Sequence, residues 1–210
     1  MTSRRSSPPS TVRRDGQEPP VSAHPVARIS LATWSAAGWV VVVACMTASA
    51  AADAAWGWEG SAILLYGIGQ LVLVASAALL VVTEVHIARR FAPLGVVVKI
   101  GVGVSAVGAL LSFVAWAVVL WTTVLGAGTL LFGVPLLRRG ALPRPWGQAL
   151  TFAVPAASLA AWAGAVIFDA GSEDAWGVVV LVNDGLVGAA LLALAAGLAG
   201  AGRWLRAGRQ

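Results

Sequence analysis

Apolar residues run along this chain in long unbroken blocks, without the alternation of a strand or the single stripe of a water-facing helix. The first block extends from about Ile29 to Ala52 and the second from about Ser61 to Thr83. Each is close to the ~20 residues that a helix needs to cross a bilayer core. A third block, Leu94 to Leu137, carries only Lys99 as a charge and is too long for one crossing. A fifth segment, about Trp146 to Phe168, is interrupted by Pro155, and a sixth runs from about Trp176 to Ala201. Membrane helices tolerate such a proline where a hydroxyl satisfies the freed backbone group, a role expected here for Ser158.

The polar positions fix the count. Arg4, Arg5, Arg13, Arg14 and Arg28 precede the first block, Arg89 and Arg90 follow the second, Arg138, Arg139 and Arg144 follow the third, and Arg203, Arg206 and Arg209 follow the last. The alternate connections hold Asp53, Glu59, Asp169, Glu173 and Asp174, with no Lys or Arg among them. Lys and Arg near membrane segments resist translocation, so the basic connections belong on the cytoplasmic side. The run from Leu94 to Leu137 is then flanked by two clusters on the same side and must cross an even number of times. The expected fold is all-α: an integral membrane bundle of six transmembrane helices, near 29–52, 61–83, 94–115, 119–137, 146–168 and 176–201, with both termini cytoplasmic. Trp56 and Trp58 are expected as interface anchors on the opposite side.

Composition agrees: 59% hydrophobic against 11% charged residues leaves too few polar side chains to cover a water-facing surface. Residues 1–28 differ, mixing Pro8, Pro9, Pro19, Pro20 and Pro25 with Ser and Arg, and read as a disordered cytoplasmic tail. Residues 203–210 form a short basic tail. The first apolar block starts too far from the basic start for a cleaved signal, so it is expected to stay as an anchor. A net charge of +5 could indicate nucleic acid, but the basic residues sit beside apolar runs, which points to anionic lipid headgroups instead. The single cysteine, Cys45, lies in an apolar run and reads as a packing residue.

Two stripes of small residues suggest how the third and fourth helices pack. Gly101, Ser105, Gly108 and Ser112 share one helical face, and Thr122, Gly126, Thr129 and Gly133 repeat the spacing. Mirrored about Ala117, they pair Gly101 with Gly133, Ser105 with Thr129, Gly108 with Gly126 and Ser112 with Thr122, with Trp116 and Trp121 flanking the turn. Small residues let helix backbones approach closely in lipid.

Chemical motifs are few. Gly101, Gly103 and Ala106 match the spacing of a dinucleotide-binding turn, but the apolar sequence continues through it and no acid follows at the required distance. With only His24 and His86, neither a metal site nor a Ser, His and acid set can be assembled, and no cofactor is expected. Polar groups at membrane depth carry more weight, because such groups usually face a bundle interior or cavity. Asp184 with Asn183 falls ~12 Å into the sixth span at the rise of an α-helix, and Gln70 with Tyr66 lies at similar depth in the second. These four residues form the candidate polar site. Asn183-Asp184-Gly185 is also a good helix start, and an N-cap or a simple interhelical hydrogen bond is the preferred reading of Asp184. Glu84 and Lys99 are expected to form an interfacial ion pair.

The segment Leu131 to Trp146, in which a span ends in Arg138-Arg139 before the turn Leu142-Pro143-Arg144, resembles a loop of small multi-span bacterial membrane proteins of uncharacterised function. The resemblance implies a multi-pass protein of a bacterial plasma membrane and supplies no catalytic residue. The expected function is non-enzymatic, with helices packed or assembled through small-residue faces, including with a membrane-protein partner or a second copy of the chain. A small-solute or proton-coupled transporter using Asp184 and Gln70 is the alternative, and a membrane-embedded enzyme the third.

Overall fold

The computed structural model describes residues 25–57, 60–91, 95–114, 118–170 and 176–207, with the backbone alone for 25–30, 54, 118, 168–170, 176–182 and 205–207. Six helices follow in order: α1 (Pro25–Trp56), α2 (Ser61–Arg90), α3 (Val96–Leu111), α4 (Val118–Arg138), α5 (Arg144–Ala170) and α6 (Trp176–Ala207). Five contain stretches long and apolar enough to cross a membrane: Leu31–Asp53, Ser61–Arg90, Val119–Arg138, Arg144–Ile167 and Asn183–Trp204. The exception is α3, whose 16 residues give a rod of about 24 Å, short of a bilayer core of ~30 Å. Hydropathy placed this span at 94–115, but the chain already leaves the helix at Ser112 through tight turns, with Phe113 and Val114 bonding back to Leu110 and Leu111.

Several helices outrun their apolar blocks. α1 begins at Pro25, inside the segment expected to be disordered, α2 continues to Arg90 and α6 to Ala207, into the expected basic tail. Hydropathy marks where the chain avoids water, whereas backbone hydrogen bonding carries a helix on until a turn stops it. Residues 1–24 of the expected tail lie outside the described residues, as do Trp58, Glu59, Trp116, Glu173 and Asp174.

Each helix packs on its neighbours in chain order and α1 closes on α6, giving a ring in which the α2–α3 seam is the loosest. The distribution of side chains is inverted relative to a water-soluble bundle. Large apolar residues such as Leu71, Leu110 and Leu159 are exposed on the outside, while Ser35, Ser76, Ser105, Thr129 and Thr151 are buried. That suits a hydrocarbon surrounding, where outward leucines cost nothing and small or hydroxyl-bearing residues line the contacts. Most buried hydroxyls donate to a carbonyl one turn back in their own helix, as Ser76 does to Val72 at 2.7 Å and Thr151 to Gly147 at 2.7 Å. Others tie helices together. Ser49 donates to the Ala62 carbonyl at 3.0 Å, and Thr123 on α4 meets Ser158 on α5 at 3.0 Å. Ser158 therefore serves an interhelical bond, not the backbone freed by Pro155.

The α3–α4 contact is antiparallel and very close, but its register differs by one residue from the mirrored pairing. A side chain on Gly101 would overlap the backbone at Leu131 and Phe132, one on Gly108 the backbone of Leu125, and one on Gly128 the backbone of Ser105. On α3 the stripe Gly101, Ser105, Gly108 and Ser112 is buried as drawn. On α4 the residues facing it are Leu125, Gly128 and Phe132, while Gly126 and Gly133 turn to α5 and meet Pro155 and Thr151. Thr129 is buried and bonds the Gly126 carbonyl at 2.9 Å. The physical reason is that α4 has two neighbours and a small face for each, and one residue rotates a helix face by about 100°.

The turn after α4 is set by Gly140, whose φ of 62° suits a residue without Cβ. Gly140 donates to the Leu137 carbonyl and Ala141 to that of Leu136, a Schellman arrangement closing the helix. Leu142 is then buried and the chain enters α5 at Arg144.

Two stability predictions follow from these contacts. Gly128→Ala and Gly108→Leu should each destabilise the protein in detergent by about 1–3 kcal/mol through overpacking, whereas Gly103→Ala, with open space around it, should be neutral or stabilising. Denaturant titration of the helical signal reads the difference, and equal behaviour of Gly128→Ala and Gly103→Ala would remove the register. Gly140→Ala should lower stability by about 1–2 kcal/mol, because its Cβ is disfavoured in the left-handed region; a thermal scan showing no loss would mean the turn relaxes freely.

Candidate functional site

A cavity of about 70 Å³ lies inside the ring, lined by side chains of α1, α2, α4, α5 and α6. Its polar groups come from two helices. On α2, Tyr66 and Gln70 stand one turn apart on one face, and the Gln70 Nε2 donates to the Tyr66 hydroxyl at 3.2 Å. On α4, Trp121 and Thr122 border the same space, and Thr122 donates to the Val119 carbonyl at 3.2 Å. Apolar residues complete the wall, among them Met46 and Val42 of α1, Val154 and Ala157 of α5, and Val187 of α6. Among the described residues no charged side chain lines it.

The packing explains why the space stays open. Gly69, next to Gln70, brings α2 against Cys45 of α1, so Cys45 acts as a packing residue at this seam. Ala157 is fully buried and too small to fill the volume in front of it. Trp121 is 3% exposed, and its indole Nε1 has no hydrogen-bond partner. A buried N–H without an acceptor is costly, and Trp121 is one of the residues that line the cavity. Hydropathy gave no sign of it, since Trp121 reads as an interface anchor when the helix arrangement is unknown.

The four residues of the expected polar site divide. Gln70 and Tyr66 reach the cavity together, but Asp184 and Asn183 do not line it. Asn183 instead lies against Gly164 of α5, with its Oδ1 buried and unpartnered, and Asp184 is half-buried beside it. The capping reading of Asp184 is overturned. Helix α6 starts at Trp176 and runs unbroken through Asn183-Asp184-Gly185, so Asp184 sits more than two turns inside it. A good capping residue starts a helix only where no upstream turn has formed, and Trp176 to Val182 already form it.

Glu84 also departs from expectation. It was placed at the end of the second span, paired with Lys99, but α2 continues beyond it and Glu84 is 3% exposed. Lys99 is exposed on α3, and among the described residues no ion pair joins the two. The side chain nearest in character is the fully buried Ser105, whose hydroxyl lies beside the carboxyl. Glu84 Oε2 and Ser105 Oγ nonetheless both lack a well-formed hydrogen bond. The signal available in sequence was weak: Glu84 follows Leu73, Ala77 and Leu80 at helical spacing, which puts it on the buried face of α2 if the helix is extended by two turns.

Among the described residues no group of His, Cys, Asp and Glu is arranged to hold a metal ion. Two features of the interior therefore bear on chemistry, the uncharged cavity around Gln70 and Trp121 and the buried acid at Glu84. Comparison with known proteins found no matching family, no similar curated protein and no similar solved structure, so the reading of both rests on this chain's own residues.

Proposed function

We propose that this chain is a non-enzymatic integral membrane protein of six crossings that admits a small uncharged polar solute to the cavity inside its helical ring. The observation that carries the reading is that Trp121, whose indole Nε1 has no hydrogen-bond partner among the described residues, lines a mostly apolar space together with Gln70, Tyr66 and Thr122. Size and polarity define the solute class. A cavity of about 70 Å³ is roughly half the ~150 Å³ that accommodates benzene in an engineered protein core, so the occupant has only a few heavy atoms. With no charged group among the described residues of the wall, an ion entering it would lose its hydration without compensation.

Assembly through small-residue faces is less favoured, because the glycines of α3 and α4 are already used within the chain. Gly101, Gly108, Gly126, Gly128 and Gly133 all meet a neighbouring helix of the same ring. The one-sided arginines support cytoplasmic termini, and anionic lipid headgroups are the natural partners of the exposed Arg89, Arg138 and Arg144. A bacterial plasma membrane is the compartment proposed, on the resemblance of the Leu131 to Trp146 loop. Within this topology α3 crosses a locally thinned bilayer.

Reporter fusions test the topology: fusions after Glu59 and after Glu173 should read as external and one after Arg209 as cytoplasmic, and the reverse at any of them breaks the six-crossing arrangement. Light scattering from proteoliposomes under an osmotic gradient tests the solute. Vesicles with the wild-type chain should equilibrate urea several-fold faster than empty vesicles, and Ala157→Leu, which fills the cavity, should restore the empty-vesicle rate with the fold intact. If wild-type and protein-free vesicles behave alike for urea, the solute reading is lost.

A further inference from the structure

The acid that the bundle buries is Glu84, and its setting is independent of the solute cavity. Glu84 is 3% exposed, it lies beside the fully buried Ser105, and among the described residues neither Glu84 Oε2 nor Ser105 Oγ has a well-formed hydrogen bond. We propose that Glu84 and Ser105 form a site for one exchangeable proton inside the α2–α3 seam, served from the Arg-bearing end of the bundle.

Donor and acceptor counting supports a proton as the ligand. An ionised carboxylate accepts only, and buried without a cation it is expensive. A protonated carboxyl carries one O–H to give and an oxygen to receive, which matches a serine hydroxyl able to do both. A hard cation would gather six or more oxygen ligands, whereas among the described residues the side chain placed at the Glu84 carboxyl is Ser105, and helical carbonyls are engaged in their own ladders.

Charged groups stand on the helices that pack on α2 and on α2 itself. From α3, Lys99 is exposed. From α1, the antiparallel register set by Ser35 on Ser76 brings Arg28 level with Glu84, and the Arg28 side chain lies outside the described residues. On α2 itself, His86 is two positions on and so points to another face, while Arg89 and Arg90 are exposed.

Access is one-sided. Glu84 lies six residues before Arg90, about 9 Å from that end of α2 at the helical rise. In the other direction, Leu80, Ala77 and Leu73 are buried on the same face of α2 and separate it from Gln70, fourteen residues and about 21 Å away. The α2–α3 seam is also the loosest in the ring, so it is where opening to water costs least.

Infrared difference spectroscopy on the full chain in detergent, titrated from acidic to alkaline pH, tests the site. The expected result is a protonated-carboxyl band at the acidic end that disappears during the titration and shifts on exchange into heavy water. It should be absent in Glu84→Gln, move to higher frequency in Ser105→Ala and stay unchanged in Arg28→Gln. No Glu84 band at any pH, or a band that appears only in Arg28→Gln, would show an ionised partner of Arg28 and overturn the proposal. Loss of the band on adding sodium chloride at constant pH would overturn it in favour of a cation. Should Glu84→Gln fail to fold, Ser105→Ala decides alone, since a carboxyl band that does not move excludes Ser105 from the site.

Discussion

Backbone approach at glycine is the constraint on which the rest of this bundle depends. When the outer surface of every helix is apolar, burying more apolar area gives helices little reason to associate, and contact must come from close packing. Here α3 and α4 approach until Gly101, Gly108 and Gly128 touch the opposite backbone, and α4 and α5 do the same at Gly126 and Gly133. Gly38 brings α1 onto Ser76 of α2, and Gly197 and Gly200 bring α6 onto Ala149 and Trp146 of α5. The ring is thus sewn by glycines, with larger residues turned either fully inward or outward.

The interior that results is uneven, and function is argued from that unevenness. Where leucines meet, as at Leu80, Leu125, Leu191 and Leu194, the core is filled. Near Gln70 five helices converge with side chains too small or too short to close the centre, leaving space beside Trp121, whose indole N–H has no acceptor among the described residues. About four turns along α2 the same buried face carries Glu84, at the seam where packing is weakest. The buried stretch of Leu73, Ala77 and Leu80 separates the two polar places.

Helical class, the number of helices and the small face of α3 were legible in the sequence because each depends on one segment at a time. Apolar block length marks a helix regardless of its neighbours, and a stripe of Gly and Ser marks a close contact regardless of its partner. The pairing of Gln70 with Tyr66 was legible for the same reason, as two positions one helical turn apart. Helix ends were less so: α2 and α6 continue past their apolar blocks because hydrogen bonding, unlike hydropathy, does not stop at the last leucine.

What only the tertiary structure decided was which face meets which. Gly126 belongs to a stripe that could face either neighbour of α4, and a single residue of rotation assigns it to Pro155 on α5. Asp184 looked like a helix start until the upstream turn from Trp176 made it interior. Glu84 looked like a surface acid with Lys99 at hand, yet it is buried against Ser105 while Lys99 faces out. In each case the sequence determined the residue's own helix and depth along it, and the arrangement of neighbours around that helix determined its surroundings. A periodic pattern fixes angles within one helix, but the angle between helices is set only by contacts that span the whole ring.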